Sequence, residues 1–176
     1  SASGNYSTAM GDGTRASADY STAMGNSTIA NGESSTAMGE ETEANGYAST
    51  AMGDGTIASA DYSTAMGEST IASGESSTAM GYETKASGES STAMGNDTKA
   101  SADYSTAMGR NTEAIGYAST AMGVYTTASD YASTVIGQYN SSGSSVTNNA
   151  TSFSTSNTAF VIGNGTGAFE TDDAFK

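Results

Sequence analysis

The chain contains no Leu, Pro, Trp, Cys or His among its 176 residues. Ala, Ser, Thr and Gly dominate instead, so a layered domain with a core of branched aliphatic side chains cannot be assembled. Without Cys and His, the chain also lacks the side chains used most often as nucleophiles and as general acids or bases. We therefore expect neither an enzyme nor a bound cofactor.

Basic residues are scarce as well. Five Lys and Arg stand against 19 Asp and Glu, which gives a formal net charge of −14. This balance argues against nucleic acid and against anionic membranes as partners. No apolar run is long enough to cross a bilayer, so direct membrane insertion of this segment is not expected.

What the chain has is a repeat. Ser-Thr-Ala-Met-Gly recurs nine times at a 14-residue interval, and all nine Met residues occupy its fourth place; Ser133 to Gly137 is a degenerate tenth copy. A weaker echo, Thr-x-Ala-x-Gly/Ala, begins two residues after each copy. Five residues followed by a polar pair suit a strand and a tight turn, so each interval is predicted to form one coil of a solenoid. The alternative is a disordered chain, but the constant 14-residue spacing of the repeat argues against disorder.

The charges indicate which side chains face inward. Alternate residues of a strand face opposite sides, and unpaired charges of both signs cannot fill a narrow interior. The second place of the echo must therefore face solvent, and the inward places carry Ser or Thr, Ala, and Gly or Ala. The exposed candidate binding face is Arg15, Ile29, Glu43, Ile57, Ile71, Lys85, Lys99 and Glu113. The predicted interior includes Ala9, Ala16, Ala23, Ala30, Ala37, Ala44, Ala51 and Ala58.

By the same alternation along the strand, Thr and Met of the pentapeptide are expected to face outward. With coils about 4.8 Å apart, nine Met side chains would form an apolar rail roughly 40 Å long, which a monomer should not leave exposed. Burying a Met side chain contributes about 1.5–3 kcal/mol, so the rail is expected to hold an oligomer together. The alternative is that Met fills the interior of its own coil. The expected interface is Met10, Met24, Met38, Met52, Met66, Met80, Met94, Met108, Met122, Ile136, Thr8, Thr22, Thr36 and Thr50.

The pattern Ser-x-Ala-x-Gly-x-x-Thr-x-Ala-x-Gly, over residues 2–137, resembles the head repeat of YadA-type trimeric autotransporter adhesins, which are surface proteins of Gram-negative bacteria. The resemblance implies an all-β fold, a left-handed parallel β-roll with two short strands per 14-residue coil. It also implies a homotrimer in which one strand of each coil faces a threefold axis and the other faces solvent. The chain departs from the family in carrying Met where Ile, Val or Leu is usual.

The phase breaks after Gly137, which divides the chain into three parts. Residues 1–137 are the head repeats, and the Ser/Asn/Gly-rich residues 138–157 are predicted to be a loop or irregular coil. Residues 158–176 contain an apolar segment and are interpreted as a cap that closes the open edge of the solenoid. This end also resembles segments that precede the chaperone domain of phage tail fibres.

The turns carry most of the acidic residues and many Tyr residues. The carboxylates favour solubility, and weak cation binding at Asp12-Gly13 or Asp172-Asp173 is the alternative; no calcium-loop motif supports a metal site. The tyrosines that precede the Met strands are expected to pack across protomer boundaries, or to contact a sugar or protein ligand. These tyrosines are Tyr6, Tyr20, Tyr47, Tyr62, Tyr104, Tyr117 and Tyr131.

Two classes of function remain. The first is an extracellular trimeric adhesin or fibre head, a rigid rod at a cell or particle surface that attaches to an unidentified host-cell, matrix or glycan ligand. A phage or injection-machine tail fibre and a structural filament subunit are alternatives, because each would be built as the same kind of rigid rod. The second is an ice-binding solenoid with a rank of outward Thr. The rank beside Thr is Met rather than a second Thr, which argues against an ice-binding plane.

Overall fold

The computed structural model of the chain describes residues 1–140, 150–152, 156–167 and 170–175. Within these ranges the protein is a parallel β-solenoid in which nine successive 14-residue coils each contribute one long and one short strand, and a tenth long strand follows. The all-β solenoid and its coil length, both predicted from the repeat, are confirmed. No helical segment in the described part of the chain has the length and apolarity needed to cross a membrane.

The strands alternate in length along the chain. The odd-numbered strands β1 to β19 are Thr8–Asp12, Thr22–Asn26, Thr36–Glu40, Thr50–Asp54, Thr64–Glu68, Thr78–Tyr82, Thr92–Asn96, Thr106–Arg110, Thr120–Val124 and Thr134–Gln138. The even-numbered strands β2 to β18 are Arg15–Ala16, Ile29–Ala30, Glu43–Ala44, Ile57–Ala58, Ile71–Ala72, Lys85–Ala86, Lys99–Ala100, Glu113–Ala114 and Thr127–Ala128. Two further strands, β20 (Phe160–Asn164) and β21 (Asp173–Phe175), follow.

These strands form two sheets. The odd-numbered strands, with β20 and β21, form a 12-stranded sheet, here called the Met sheet, and the even-numbered strands form a nine-stranded sheet, here called the short-strand sheet. Each strand pairs in parallel with its equivalent one coil later, so that Thr8 lies beside Thr22, Ala9 beside Ala23 and Met10 beside Met24. Identical side chains therefore stack in ladders along the rod.

The interior between the sheets consists of alanine. Ala16, Ala23, Ala30, Ala37, Ala44, Ala51 and Ala58 are fully buried, whereas Ala9, in the first coil, is only half-buried. The alanine ladder continues to Ala128, and Val135 and Val161 extend it where the coil sequence changes. A methyl group from each sheet fills the space, so the two sheets can pack closely.

The buried hydroxyls fall into two groups. Several Ser hydroxyls that open the long strands bond within their own turn; Ser21 Oγ, for example, donates to the carbonyl of Ala18 at 2.6 Å. The Thr Oγ1 atoms that open the short strands, from Thr28 to Thr126, have no hydrogen-bond partner among the described residues. The expectation that interior hydroxyls form hydrogen bonds with buried polar groups therefore holds for much of the Ser ladder. The Thr side chains mainly fill space in the interior.

The fifth place of the pentapeptide was predicted to face the interior, and the structure shows that this prediction is wrong. Gly25 is exposed and has φ of 127°, in the left-handed region. A Cβ built on Gly25 would lie 1.9 Å from the carbonyl oxygen of Gly39 in the next coil, which no side chain permits. This glycine is therefore required by the close approach of successive coils rather than by the interior. In the echo the fifth place is buried at Gly32, but a Cβ built there would also lie 1.9 Å from a carbonyl oxygen of the next coil, that of Gly46.

Both turns of the coil place a residue at positive φ. The turn before each long strand does so at Tyr20 (φ 59°) and Ala48 (φ 50°), and the turn after it at Ser27 (φ 53°). Gly occupies this position in few coils, at Gly13 and Gly55 in the second turn. Non-glycine residues in this region carry a cost of about 1–2 kcal/mol each, which the hydrogen bonds between coils must offset.

The C-terminal end extends the Met sheet. Strand β20 pairs in parallel with β19, with Val161 beside Val135, so the chain rejoins the coil register; β21 then pairs antiparallel with β20. Two polar side chains at this end form hydrogen bonds that the repeat pattern does not predict. The Asn140 side chain accepts from Thr127 N–H at 2.8 Å and donates to its carbonyl at 3.2 Å, as a further short strand would. Buried Asp130 accepts from Thr158 N–H at 2.9 Å.

The segment predicted as loop or irregular coil, 138–157, falls largely on residues 141–149 and 153–155, outside the described residues.

We expect the substitution of Ala by Gly to have opposite effects at two positions three residues apart. Ala48→Gly relieves a left-handed residue and should raise stability by about 1 kcal/mol. Ala51→Gly removes a buried methyl group and loosens a strand, and should lower stability by about 1–2 kcal/mol. Guanidinium unfolding at equal protein concentration measures both. Shifts of the same sign would contradict the assigned backbone geometry.

Asn140→Ala should open the C-terminal end of the short-strand sheet. Loss of the two hydrogen bonds to Thr127 is expected to cost about 1–3 kcal/mol, and the opening should be local because each coil contacts only its neighbours. Amide hydrogen exchange should therefore accelerate in β18 and β19 and stay unchanged in β1 to β4. Asn31→Ala, which removes two exposed side-chain hydrogen bonds, is the matched control and should change stability by about 0.5 kcal/mol or less.

Candidate binding surfaces

The rod presents a Met face on the outer side of the Met sheet. Thr and Met alternate with the buried Ala on each long strand, so both point away from the interior. Thr8 and Met10, in the first coil, are exposed, and Met10 is 60% accessible. In later coils the stacked neighbours cover part of each side chain. The half-buried members are Thr22, Thr36, Thr50, Met24, Met38, Met52, Met66, Met80, Met94, Met108, Met122 and Ile136.

The Thr and Met ladders of the Met face are continuous and contain no charged residue, whereas several long strands of the same sheet end in an exposed charged residue, such as Asp12, Glu40 and Arg110. In-register pairing places Met80 between Met66 and Met94, and the same ladder runs to Met122, Ile136 and Ile162. The Thr ladder lies beside it and runs from Thr8 to Thr134. Because neighbouring Met side chains already shield one another, the free energy available from covering this face is smaller than that for nine fully exposed Met side chains.

The opposite face lies on the short-strand sheet and carries the variable residues. Arg15 and Lys85 are exposed, whereas Ile29, Glu43, Ile57, Ile71, Lys99 and Glu113 are half-buried by their ladder neighbours. Beside them runs a polar ladder in which Ser17 donates to Asn31 at 2.6 Å and Asn31 donates to Asn45 at 2.9 Å. This face therefore mixes charged, aliphatic and amide side chains that change from coil to coil.

One ion-pair cluster stands out on this face. Lys99 Nζ donates to Glu113 Oε1 at 3.0 Å and lies 4.0 Å from Asp97, which in turn accepts a hydrogen bond from Asn111. The hydrogen bond to Glu113 raises the pKa of Lys99. These residues, with Tyr125 and Thr127, line an open depression of about 250 Å³. The depression is shallow and polar, without the enclosure of a small-molecule pocket.

The turn carboxylates hold successive coils together. Asp19, Asp61 and Asp103 each accept a backbone N–H from the preceding coil, at 2.8, 2.8 and 2.9 Å. At Asp172, the side chain accepts from Asp173 N–H at 2.8 Å. Across the described ranges no three Asp or Glu residues converge as a metal site would require. The acidic turns therefore have a structural use in addition to their charge.

The tyrosines of the turns pair along the rod. Tyr6 stacks on Tyr20 and Tyr117 on Tyr131, with ring centroids 5.4 and 5.2 Å apart, and Tyr47 meets the edge of Tyr62 at 5.5 Å. On the other edge, Tyr125 stacks on Tyr139 at 4.9 Å, and the Arg110 guanidinium lies 5.5 Å from the Tyr125 ring centroid. These pairs form between neighbouring coils of one chain, a contact that sequence analysis did not consider.

Glu113→Gln should make stability less dependent on pH in the alkaline range. The folded pKa of Lys99 is raised, so its ion pair stabilises the protein below the unfolded pKa of Lys99 and is lost as pH rises through the folded value. Both side chains are about two-fifths exposed, so the contribution is expected to be under about 1 kcal/mol. Unfolding midpoints at pH 8 and pH 11 test this, with Glu43→Gln as the control. An unchanged pH profile would contradict the pairing.

Comparison with known proteins agrees with this architecture. The pattern of the YadA head domain repeat, which spans two copies per match, fits the chain at residues 2–28, 30–56, 58–84, 86–112 and 114–140. No curated protein matches the chain. The matches end where the coil register is interrupted, after β19, and each covers about two of the coils described above. The chain therefore belongs to the YadA head domain repeat family, whose fold is that of a surface-exposed, adhesin-like fibre head.

Proposed function

We propose that the protein is the head of a homotrimeric extracellular adhesin, a rigid non-enzymatic rod that attaches to a host cell, matrix protein or glycan. The observation that carries the proposal is the uncharged Met face, which repeats without substitution through nine coils. Membership of the family supports both the trimer and the location at a cell surface. In the proposed trimer the Met faces of the three protomers meet at the axis.

The contrast between the two faces supports this orientation. The Met face keeps the same two residues through nine successive coils, as suits a surface that meets identical copies of itself. The short-strand face varies among Arg, Ile, Glu and Lys, as a solvated or ligand-contacting surface can. Charge at the Met face would be desolvated in the trimer, which is costly without a partner.

We further propose that residues 1–137 form the rod and that residues 158–176 cap it. The antiparallel pairing of β21 on β20 supports the capping role, because it ends the run of parallel coils. The side chains of Asp130 and Asn140 add hydrogen bonds at this end. The intervening residues connect the last full coil to the cap.

The trimer is tested by adding the same three charges to either face. Met52, Met66 and Met80 replaced together by Asp should give monomers or insoluble protein, because the carboxylates would lie at the axis. Ile29, Ile57 and Ile71 replaced together by Asp form the matched control, which carries adjacent ladder charges on the other face and should remain trimeric. Multi-angle light scattering measures the mass. A trimer from the Met variant, or dissociation of both variants alike, would contradict the proposed interface.

Attachment is tested with the parent protein and the Met variant. The parent trimer should capture host cells, matrix proteins or glycans from solution more strongly than the folded monomer of the Met variant, because three copies of each weak contact act together. Equal capture by monomer and trimer would contradict a mechanism based on avidity. Absence of capture by the intact trimer would contradict the adhesive role itself.

A further inference from the structure

The coil repeat contains a second, longer period on the edge that precedes the long strands. Ser-Ala-Asp-Tyr occurs at residues 17–20, 59–62 and 101–104, which is every third coil. Since coils stack about 4.8 Å apart, the tyrosines Tyr20, Tyr62 and Tyr104 lie at intervals of roughly 14 Å along the rod. This edge, formed by the two turn residues before each long strand, is called the tyrosine edge.

The three tyrosines are presented in the same way. The preceding aspartate accepts a backbone N–H from the coil before it, which fixes the turn, and each tyrosine has φ of 59°. The side chains are 57%, 55% and 48% exposed, in chain order. An exposed aromatic ring held by a fixed backbone is an arrangement suited to binding, since little conformational freedom is lost when a ligand docks.

Each of these rings has a second ring beside it. Tyr6 lies 5.4 Å from Tyr20, Tyr47 lies 5.5 Å from Tyr62, and Tyr117 lies 5.3 Å from Tyr104, measured between ring centroids. The partner belongs to an adjacent coil in every case. The edge thus carries three ring platforms rather than isolated tyrosines, and the third contains a further ring, Tyr131, which stacks on Tyr117 at 5.2 Å.

The charged residues at the two turn positions of the tyrosine edge are all acidic. No Lys or Arg occupies either turn position in any coil, whereas carboxylates recur there, at Asp19, Glu33, Asp61, Glu75, Glu89 and Asp103. The Tyr104 hydroxyl donates to Glu89 at 3.3 Å, and the charge of Glu89 raises the pKa of Tyr104. The rings therefore lie in a negative potential, and the whole chain carries a formal charge of −14.

The other edge of the rod contains an example of what such a ring accepts. The Arg110 guanidinium lies 5.5 Å from the centroid of Tyr125, which itself stacks on Tyr139. A guanidinium is attracted to the face of an aromatic ring and donates bidentate hydrogen bonds to carboxylates. The tyrosine edge supplies both kinds of acceptor but has no cation of its own.

We propose that the tyrosine edge binds an arginine-rich segment of a partner protein, with one guanidinium at each platform and its N–H groups directed to the adjacent carboxylates. The inference rests on the adhesive function proposed above and names the chemistry of its ligand. An extended chain rises about 3.4 Å per residue, so Arg at every fourth position matches the platform interval of roughly 14 Å. A neutral sugar could stack on the rings, but it would not use their negative potential.

The probe is a 12-residue peptide with three Arg-Gly-Ser-Ser units, titrated calorimetrically into the trimer. Three peptides act as controls: one with the three Arg contiguous, one with Lys for Arg and one with Glu for Arg. The spaced Arg peptide should bind most tightly, the Glu peptide should not bind, and added salt should weaken binding. Cellohexaose serves as the neutral sugar. Binding of cellohexaose in place of the Arg peptide would overturn the proposal.

Variants test the platforms directly. Tyr20, Tyr62 and Tyr104 replaced together by Ala should weaken binding about tenfold or more, and replacement by Phe should retain it, because the ring face is the acceptor. Tyr82→Ala, on the opposite edge and also beside carboxylates, is the matched control and should bind like the parent. Undiminished binding by the triple Ala variant, or equal loss with Tyr82→Ala, would overturn the platform.

Light scattering on each sample separates the two proposals. A parent protein that is trimeric and captures host cells, but does not bind the peptide, contradicts this inference alone. Tyrosine emission, which is free of Trp interference in this chain, reports access to the rings. The emission of the three tyrosines is the part of the parent's emission that the triple Ala variant lacks. If acrylamide does not quench this part in the parent, the rings are covered at protomer boundaries and the proposal fails.

Discussion

Pairing of every residue with its equivalent one coil later is the constraint on which the rest of the structure depends. It aligns Ala with Ala, Met with Met and Gly with Gly in unbroken ladders. It also determines which residues are tolerated. Only Gly fits at the fifth place of the pentapeptide, where a Cβ would strike the carbonyl of the next coil, and only small side chains fit between the sheets. The same pairing fixes turns in which Ser, Tyr, Ala and Glu adopt a left-handed backbone that they would otherwise avoid.

The repeat made most of the fold predictable, because position within a strand and position within a coil coincide. Charges at Glu43 and Lys85 could not lie inside a narrow solenoid, and that single argument assigned Ala to the interior and Met to the outer side. It failed for the glycine of the pentapeptide, since alternation assumes an extended backbone and Gly25 lies at φ 127°. The apolar segment after the insertion was interpreted as a cap for the open edge, but its in-register pairing as β20 with β19 was not predicted, because the insertion breaks the period. The capping side chains of Asp130 and Asn140 occur once each and interrupt the repeat as well. Their hydrogen bonds could not be predicted from a pattern of recurring residues.

The surfaces were predictable to a different degree. Repetition identified the Met face and the variable face, but ring contacts between coils, such as Tyr47 with Tyr62, depend on turn geometry that the sequence does not specify. The ladders also change the energetics of each surface. Half-buried Met side chains gain less on association than isolated ones, so the stability of the proposed trimer would come from the number of coils rather than from any one residue. Acidic turns serve two roles together: they accept backbone hydrogen bonds from the neighbouring coil and they leave one edge of the rod strongly negative.

In-register pairing also makes the length of the rod proportional to the number of coils. Adding or deleting one 14-residue unit changes the length by roughly 4.8 Å and leaves every remaining contact as it was, since a coil meets only the coils before and after it. Length can therefore vary through duplication within the gene without a new core or a new interface having to evolve. A change by a single coil would nevertheless shift Tyr62 relative to Tyr20, whereas a change by three coils would preserve their interval. Selection on a periodic partner would consequently favour lengthening in blocks of three coils, and selection on reach alone would not.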